Sequence, residues 1–147
     1  MSDKPEEIDI VIASYDRSFD YSKLQIAFDA IWQHGRAQLI TTNPDRYCPF
    51  PGGRGEPDAA GIVAAIEATT GITCSANMGK PDRIMIETVM RELGTDVKTV
   101  MMVGDRLETD VRMAINAGIG STLVLTGDSQ MSDVENTEGA YRPDFVL

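Results

Sequence analysis

The fold is decided by the stretch Val100-Met101-Met102-Val103-Gly104-Asp105-Arg106-Leu107-Glu108-Thr109-Asp110. Its apolar beginning is typical of a buried strand in a parallel sheet. Gly104 is expected to allow a sharp turn there. Asp105 then falls at the carboxyl end of the strand, where open α/β sheets bind their ligands. Asp110 falls in the first turns of a predicted helix at 107–117, so two carboxylates are expected beside one crevice.

Two chemical interpretations fit these carboxylates. Two acids near one crevice can hold a hard cation such as Mg²⁺, which takes oxygen ligands and usually only one or two protein carboxylates. Alternatively, Asp105 only ends the strand, and Asp110 only favours the positive N-terminal end of the helix. The stretch by itself leaves both interpretations open.

A second feature is the segment Gly79-Lys80-Pro81, which lies just before a helical pattern at 82–93. Proline fits the first turn of a helix, so Pro81 is expected there. Lys80 would then lie near the positive end of the helix dipole, where a cation can hold a phosphate oxygen or restrain a nearby acid. The same three residues also fit an ordinary turn.

Strands and helices alternate along the rest of the chain. The predicted strands are 8–13, 37–41, 75–78, 99–103, 121–125 and 144–147, and the predicted helices are 21–34, 58–70, 82–93, 107–117 and a short one near 132–134. A Pro- and Gly-rich loop is expected at 43–56. Short connections between alternating elements indicate an α/β fold with parallel sheets. Two lobes are predicted, 1–78 and 79–147, with the strand at 75–78 opening the second.

Composition excludes several classes of protein. The 147 residues carry a formal net charge of −10, which disfavours nucleic acid and anionic membrane surfaces as partners. A hydrophobic content of 42% argues against disorder. No apolar run approaches the roughly 18 residues of a membrane span, and the polar, acidic start of the chain does not fit a signal peptide. A cytoplasmic protein is expected. Cys48 and Cys74 lack metal-ligand spacing, so in such a protein they are most simply reduced structural residues.

The order of these segments resembles the haloacid dehalogenase (HAD) superfamily of phosphatases. It is most similar to the capped subfamily that contains p-nitrophenyl phosphatase, pyridoxal phosphatase and nucleotide monophosphatase-like enzymes. The resemblance covers roughly 9–146 and rests on 14–24, Thr41-Thr42-Asn43-Pro44-Asp45, 61–67, Gly79-Lys80-Pro81, 103–110, 122–127 and Pro143-Asp144-Phe145. It implies a partial Rossmann-like parallel sheet at 79–147, the C-terminal half of the catalytic core, and an α/β cap-like lobe at 1–78.

The resemblance also implies roles for particular residues. Asp105 matches a ligand of the family's Mg²⁺, and Lys80 and Asp110 match its catalytic lysine and its secondary acid. Lys80 would also bind the substrate, a phosphorylated small molecule. Asn43 and Asp45 match a cap segment near the substrate entrance. Asn-Pro-Asp is also a common turn, so the sequence leaves both interpretations open.

One family feature does not occur in the 147 residues. Family members begin with a strand ending in Asp-x-Asp-Gly, whose first Asp attacks phosphorus and whose second acts as general acid and base; no such motif is present. The expectation is therefore a phosphatase-like chain that is inactive alone, with weak or no Mg²⁺ binding. It would need a complementary N-terminal segment, or it would be a non-catalytic oligomerisation or binding module. A receiver-like phosphoacceptor fits less well, because its lysine follows the phosphorylated Asp.

The missing segment has a consequence for assembly. In the family's sheet, the strand that matches 99–103 lies beside the nucleophile strand. Without that neighbour, the apolar residues Val100, Met101, Met102 and Val103 would form an exposed edge. Uncovered apolar edges invite pairing, so the edge is expected to be covered by a homodimer or by rearrangement of the cap-like lobe. The homodimer is favoured, because a closed two-fold interface is the commonest solution.

Overall fold

Parallel strands separated by helices build both parts of the chain. The computed structural model describes residues 4–50 and 52–147, and these fall into two units, Met1–Met78 and Gly79–Leu147. The predicted α/β class is confirmed, with a three-stranded parallel sheet in each unit. Within the described ranges, no helix combines the length and apolar character that a bilayer crossing requires.

The first unit holds a parallel sheet of strand order β1-β2-β5 and a separate antiparallel hairpin, β3-β4. Its elements are β1 (Ile10–Ala13), α1 (Tyr21–Phe28), a π-helical turn (Asp29–Gln33), β2 (Gln38–Thr41), β3 (Tyr47–Phe50), β4 (Arg54–Pro57), α2 (Ala59–Thr70) and β5 (Ala76–Asn77).

Local sequence explains where the helices of this unit begin and end. The Asp20 carboxylate caps α1 by accepting the Lys23 N–H at 2.9 Å, which satisfies one of the free donors at a helix start. Helix α2 ends at Gly71, whose φ of 74° lies in the left-handed region that glycine adopts at low cost. The core between them is formed by Ala13, Ala27, Ala30, Ile31, Ala37, Leu39 and Ile66.

The second unit holds a parallel sheet of strand order β6-β7-β8. Its elements are α3 (Ile84–Leu93), a 3₁₀ turn (Val97–Thr99), β6 (Met101–Gly104), a π-helical turn (Leu107–Val111), α4 (Arg112–Ala117), β7 (Gly120–Leu123), α5 (Met131–Asn136), a 3₁₀ turn (Gly139–Tyr141) and β8 (Phe145–Val146). Val111, Leu123 and Val134 form its core, with Leu107, Ile115 and Val146 packed against them.

The structure corrects the predicted loop at 43–56. Tyr47–Phe50 and Arg54–Pro57 pair as a β-hairpin, and Pro51 lies outside the described residues. Gly52 and Gly53 both have positive φ, 81° and 73°, as tight hairpin turns often require. The Gly-Gly pair between two short segments therefore indicated a hairpin, but the prolines in the same stretch favoured a loop.

Two further expectations about element positions were wrong. The short strand expected to open the second lobe is Ala76–Asn77, and it pairs with β2 in the first unit. Pro81 is not in the first turn of the next helix, because α3 begins only at Ile84. The predicted helices 21–34 and 107–117 are present, but each contains a π-helical turn that periodicity does not reveal.

Strand β6 lies at one edge of the second sheet, and its apolar side chains are open to solvent. Met101 and Val103 are 50% and 56% exposed. Helix α3 likewise exposes Met85, Val89 and Leu93, which recur at intervals of four residues on one helical face. Strand β6 is thus less protected than edge strands usually are, and α3 adds a second exposed apolar face in the same unit.

The Asp16 carboxylate is the centre of a small polar cluster in the first unit. It accepts hydrogen bonds from Lys23 Nζ at 2.6 Å and from the Ser18 hydroxyl and N–H at 2.7 and 2.8 Å. These bonds favour the charged carboxylate, so the pKa of Asp16 is lowered from 3.8 to about 2, mainly by Lys23.

The core of the second unit can be tested with one substitution at two leucines. Leu123 is fully buried and Leu93 is 70% exposed. Leu123→Ala should lower the free energy of unfolding by about 2–5 kcal/mol, because it leaves a cavity in the core. Leu93→Ala removes the same atoms and should change it by less than about 1 kcal/mol. Denaturant unfolding measures both, and equal effects would contradict the described core.

The Asp16 cluster predicts a pH dependence. Because folding lowers the pKa of Asp16, its contribution to stability is complete above about pH 4 and is lost as the pH falls towards 2. NMR titration of the Asp16 carboxyl carbon should give a midpoint near 2. Lys23→Met should move this midpoint up towards 3.8, whereas Lys98→Met, at an exposed lysine of the other unit, should not. A wild-type midpoint near 3.8 would refute the described hydrogen bonds.

Candidate active site

Asp105 is placed by the strand before it. Strand β6 ends at Gly104, and its pairing with β7 is parallel, so Asp105 emerges at the carboxyl edge of the sheet. Its main-chain oxygen accepts the Ser129 N–H at 3.0 Å, and its Oδ2 accepts the Asp128 N–H at 2.9 Å. The position predicted from the apolar run is confirmed.

Asp110 is a buried carboxylate with two partners. Its side chain is 4% exposed, and its Oδ1 accepts a hydrogen bond from Lys80 Nζ at 2.8 Å, which makes an ion pair. Its Oδ2 accepts the Arg106 N–H at 3.1 Å. A buried charge without partners would be costly, so these two contacts are what allows a carboxylate at this position.

Gly104 is needed at the end of β6 for a reason that differs from the expected one. Its φ is not positive, so no left-handed turn requires a glycine. Instead, the Asp110 side chain packs directly against its Cα, and a Cβ there would overlap the Asp110 Cβ, Cγ and Oδ2. Glycine at this position therefore makes room for the buried acid.

A π-helical turn brings Asp110 back towards the end of the strand. The Arg106 carbonyl accepts the N–H groups of both Asp110 and Val111, at 3.0 and 3.2 Å, so the turn is wider than an α-helical one. Within the described residues, the buried Thr109 hydroxyl in this turn has no hydrogen-bond partner. Such widened turns are frequent at functional sites.

Lys80 is held by the turn that contains it. Asn116 of α4 donates from its side-chain amide to the Pro81 carbonyl at 2.7 Å, which ties this turn to the helix that follows Asp110. Sequence analysis missed Asn116, because no local pattern connects it to a residue 35 positions earlier. The Lys80 side chain remains 45% exposed, so its ammonium can reach a ligand while it neutralises Asp110.

The donor set fits a divalent cation only as a site with a single carboxylate. Both oxygens of Asp110 are engaged, by Lys80 and by the Arg106 N–H, which leaves Asp105 as the available acid. Within the described ranges, no group of three or more Asp, Glu, His or Cys side chains comes together. Mg²⁺ accepts few protein ligands but prefers one or two carboxylates together with phosphate oxygens and water, so these residues supply part of a site.

Asn43 and Asp45 lie in the first unit, in a turn after β2. Asn43 Oδ1 accepts the Asp45 N–H at 3.0 Å, and the Asn43 carbonyl accepts the Thr41 hydroxyl at 2.7 Å. These contacts give both residues a role in the turn. The turn borders a cavity of about 370 Å³ that is also lined by Ala60, Val63, Glu67, Cys74 and Asn77.

The arrangement of Lys80, Asp105 and Asp110 is suited to holding negative charge. An ammonium group and a carboxylate that can bind a cation offer complementary contacts to a phosphate group. Phosphoryl transfer depends mainly on such electrostatic positioning. It also requires an attacking group, and both Asp110 oxygens are occupied.

Comparison with known proteins finds a family model and several phosphatases that resemble this chain. The HAD-hydrolase-like family model matches residues 77–147. Sugar-phosphatase AraL of Bacillus subtilis (strain 168) is 33% identical over 144 residues, which are 98% of this chain and 50% of that protein. Glycerol-3-phosphate phosphatase of Homo sapiens is 34% identical over 136 residues, which are 91% of this chain and 42% of the relative.

Solved structures give the same picture. A 4-nitrophenylphosphatase from Thermotoga maritima is 40% identical, with a TM-score of 0.79 over 97% of this chain and 53% of that chain. A p-nitrophenyl phosphatase from Archaeoglobus fulgidus is 28% identical, with a TM-score of 0.81 over 97% of this chain and 54% of that chain.

The chain spans about half the length of the curated relatives that it matches. Within that half, the similarity in sequence and in fold extends over both units of this chain. The reported relatives and neighbours are all phosphatases by name. Together these findings match the chain to the haloacid dehalogenase (HAD) superfamily, in the group of capped p-nitrophenyl phosphatases.

Proposed function

We propose that these 147 residues form the phosphate-holding part of a phosphatase for small phosphate monoesters. Lys80 binds the phosphate and neutralises Asp110, Asp110 orients Lys80, and Asp105 holds Mg²⁺. The cation, when bound, neutralises phosphate charge. In this proposal 79–147 is the C-terminal half of the catalytic core and 1–78 is a cap-like lobe in which Asn43 and Asp45 contact the substrate.

The Lys80–Asp110 ion pair is the observation that supports this proposal most strongly. Residues 30 positions apart meet at 2.8 Å, at the carboxyl side of the strand that also presents Asp105. A buried acid held by a half-exposed lysine is costly as a purely structural device, because the pair must be desolvated. The same pair is well suited to holding an ammonium group in a fixed position for an anion.

In this proposal the 147 residues do not complete the reaction alone. No Asp-x-Asp-Gly occurs in its sequence, so a carboxylate placed to attack phosphorus must come from the part of the relatives that it does not match. A complementary segment with that motif would supply the attacking group and a second cation ligand.

The exposed β6 edge favours a second candidate function, a non-catalytic oligomerisation module derived from a phosphatase. Met101 and Val103 are about half exposed on a strand that, within the described part of the chain, pairs only with β7. For the 147-residue chain alone, the available partner is another copy. Closed two-fold interfaces are the commonest way for identical chains to associate, so we propose a homodimer through this edge.

Turnover tests the proposed catalytic role. The purified 147-residue chain should hydrolyse p-nitrophenyl phosphate with Mg²⁺ no faster than buffer, because it lacks a placed nucleophile. Addition of the segment of a relative that carries Asp-x-Asp-Gly should produce turnover. In that mixture Lys80→Met should lower kcat by about 10²-fold or more, since it removes an electrostatic contact to the phosphate.

Lys98→Met provides the control, because Lys98 is exposed and lies away from the site, on the 3₁₀ turn before β6. Robust Mg²⁺-dependent turnover by the chain alone, abolished by Asp105→Asn, would refute the claim of inactivity. Equal losses in both lysine variants would refute the role of Lys80.

The next prediction concerns assembly. Light scattering should report a dimer, and Val103→Lys should shift the mass towards a monomer, because a charge on the edge opposes pairing. Val97→Lys introduces the same change at an exposed valine outside β6 and should leave the dimer intact. A wild-type chain that stays monomeric at high concentration, or one that both variants dissociate equally, would exclude the β6 interface.

A further inference from the structure

The turn of Gly127, Asp128 and Ser129, called here the 127–129 turn, makes several contacts to the end of β6. The N–H of Asp128 donates to Asp105 Oδ2 at 2.9 Å, and the N–H of Ser129 donates to the Asp105 main-chain oxygen at 3.0 Å. The Ser129 hydroxyl accepts the Leu107 N–H at 3.2 Å. These contacts hold Asp105 by its side chain and by its own carbonyl, and they hold the backbone just after it at Leu107.

A charged contact adds to these hydrogen bonds. Arg106 Nε lies 3.1 Å from Asp128 Oδ2, which makes an ion pair between the residue after Asp105 and the turn. Ser129 is buried, with 8% exposure, although it follows an exposed segment. The turn is therefore fixed against Asp105 rather than extended into solvent.

Gly127 allows this close approach. A Cβ at Gly127 would overlap Asp105 Oδ2 and lie 2.5 Å from its Cβ and Cγ. The φ of Gly127 is not positive, so the requirement is for space and not for an unusual backbone conformation. Any side chain at this position would push the Asp105 carboxylate away from the Asp128 N–H.

We propose that the 127–129 turn positions the Asp105 carboxylate for a divalent cation. The turn holds Oδ2 and leaves Oδ1 directed away from that hydrogen bond as the cation ligand. Within the described parts of the chain, no hydrogen bond to Oδ1 competes with a cation. This inference rests on the proposed role of Asp105 and adds Gly127, Asp128 and Ser129 as positioning residues.

Physical reasons favour a role beyond closing the loop. A single carboxylate gives a weak site, so its affinity depends on how little rotational freedom the ligand must lose on binding. Residues that orient a metal ligand by hydrogen bonds typically change metal affinity by 10- to 100-fold when altered. A turn that was only structural would change stability and leave cation affinity alone.

The test uses Mn²⁺ as the probe and the 147-residue chain. Paramagnetic broadening of the backbone NMR signals of residues 104–106 reports even weak binding, and its concentration dependence gives an apparent affinity. Gly127→Ala should lower that affinity about tenfold or more. Gly61→Ala is the control, because Gly61 lies in α2, has no positive φ and has open space around its Cα.

A milder pair of variants covers the case in which Gly127→Ala perturbs folding. Ser129→Ala removes only the hydroxyl that accepts the Leu107 N–H and should weaken Mn²⁺ binding severalfold. Ser132→Ala is its control at an exposed position in α5. Thermal unfolding of each variant separates a loss of affinity from a loss of stability.

Each outcome is decisive. Weaker binding in Gly127→Ala and Ser129→Ala, with unchanged controls, supports the positioning role. Unchanged affinity in both, or no broadening at 104–106 in the wild type, overturns it. Asp105→Asn distinguishes the two levels of the proposal: if this variant binds Mn²⁺ normally, the proposed role of Asp105 fails, and if it alone loses binding, only the role of the turn fails.

Discussion

The buried carboxylate of Asp110 is the constraint on which the site depends. A nearly inaccessible charge must be paired, and Lys80 and the Arg106 N–H provide that pairing. Three other features follow from it. Gly104 leaves room for the carboxylate, the π-helical turn aims it back at the strand, and Asn116 secures the turn that carries Lys80. The ammonium group is thereby fixed without being buried.

Local sequence predicted the parts of this site that depend on one element. An apolar run followed by Gly-Asp placed Asp105 at the carboxyl end of a strand, because parallel strands end where loops begin. Alternation of strands and helices gave the α/β class. The meeting of Lys80 with Asp110 was implied only by the family resemblance, since no periodicity connects residues 30 positions apart.

Other features depend on contacts between distant segments and could not be predicted in this way. The need for glycine at 104 and at 127 comes from carboxylates that pack against the backbone, at Asp110 and Asp105. Both glycines look like ordinary turn formers in the sequence. The hairpin at Tyr47–Phe50 and Arg54–Pro57 was missed for another reason: local signals in its sequence conflict. Its prolines favour a loop, whereas the Gly52-Gly53 pair favours a hairpin.

The exposed apolar surface of the second unit and its candidate cation ligand meet at one strand. Within the described residues, edge strand β6 pairs only with β7 and exposes apolar side chains, and its carboxyl end presents Asp105 while both oxygens of Asp110 are engaged elsewhere. In a parallel sheet, a strand added beside β6 would bring its own carboxyl end next to Asp105. Burial of Met101 and Val103 and the delivery of a carboxylate would then be one event. A second copy could bury the same apolar surface without delivering that acid. The two assemblies would therefore compete for the same edge of β6, and only the added strand would place a second carboxylate beside Asp105.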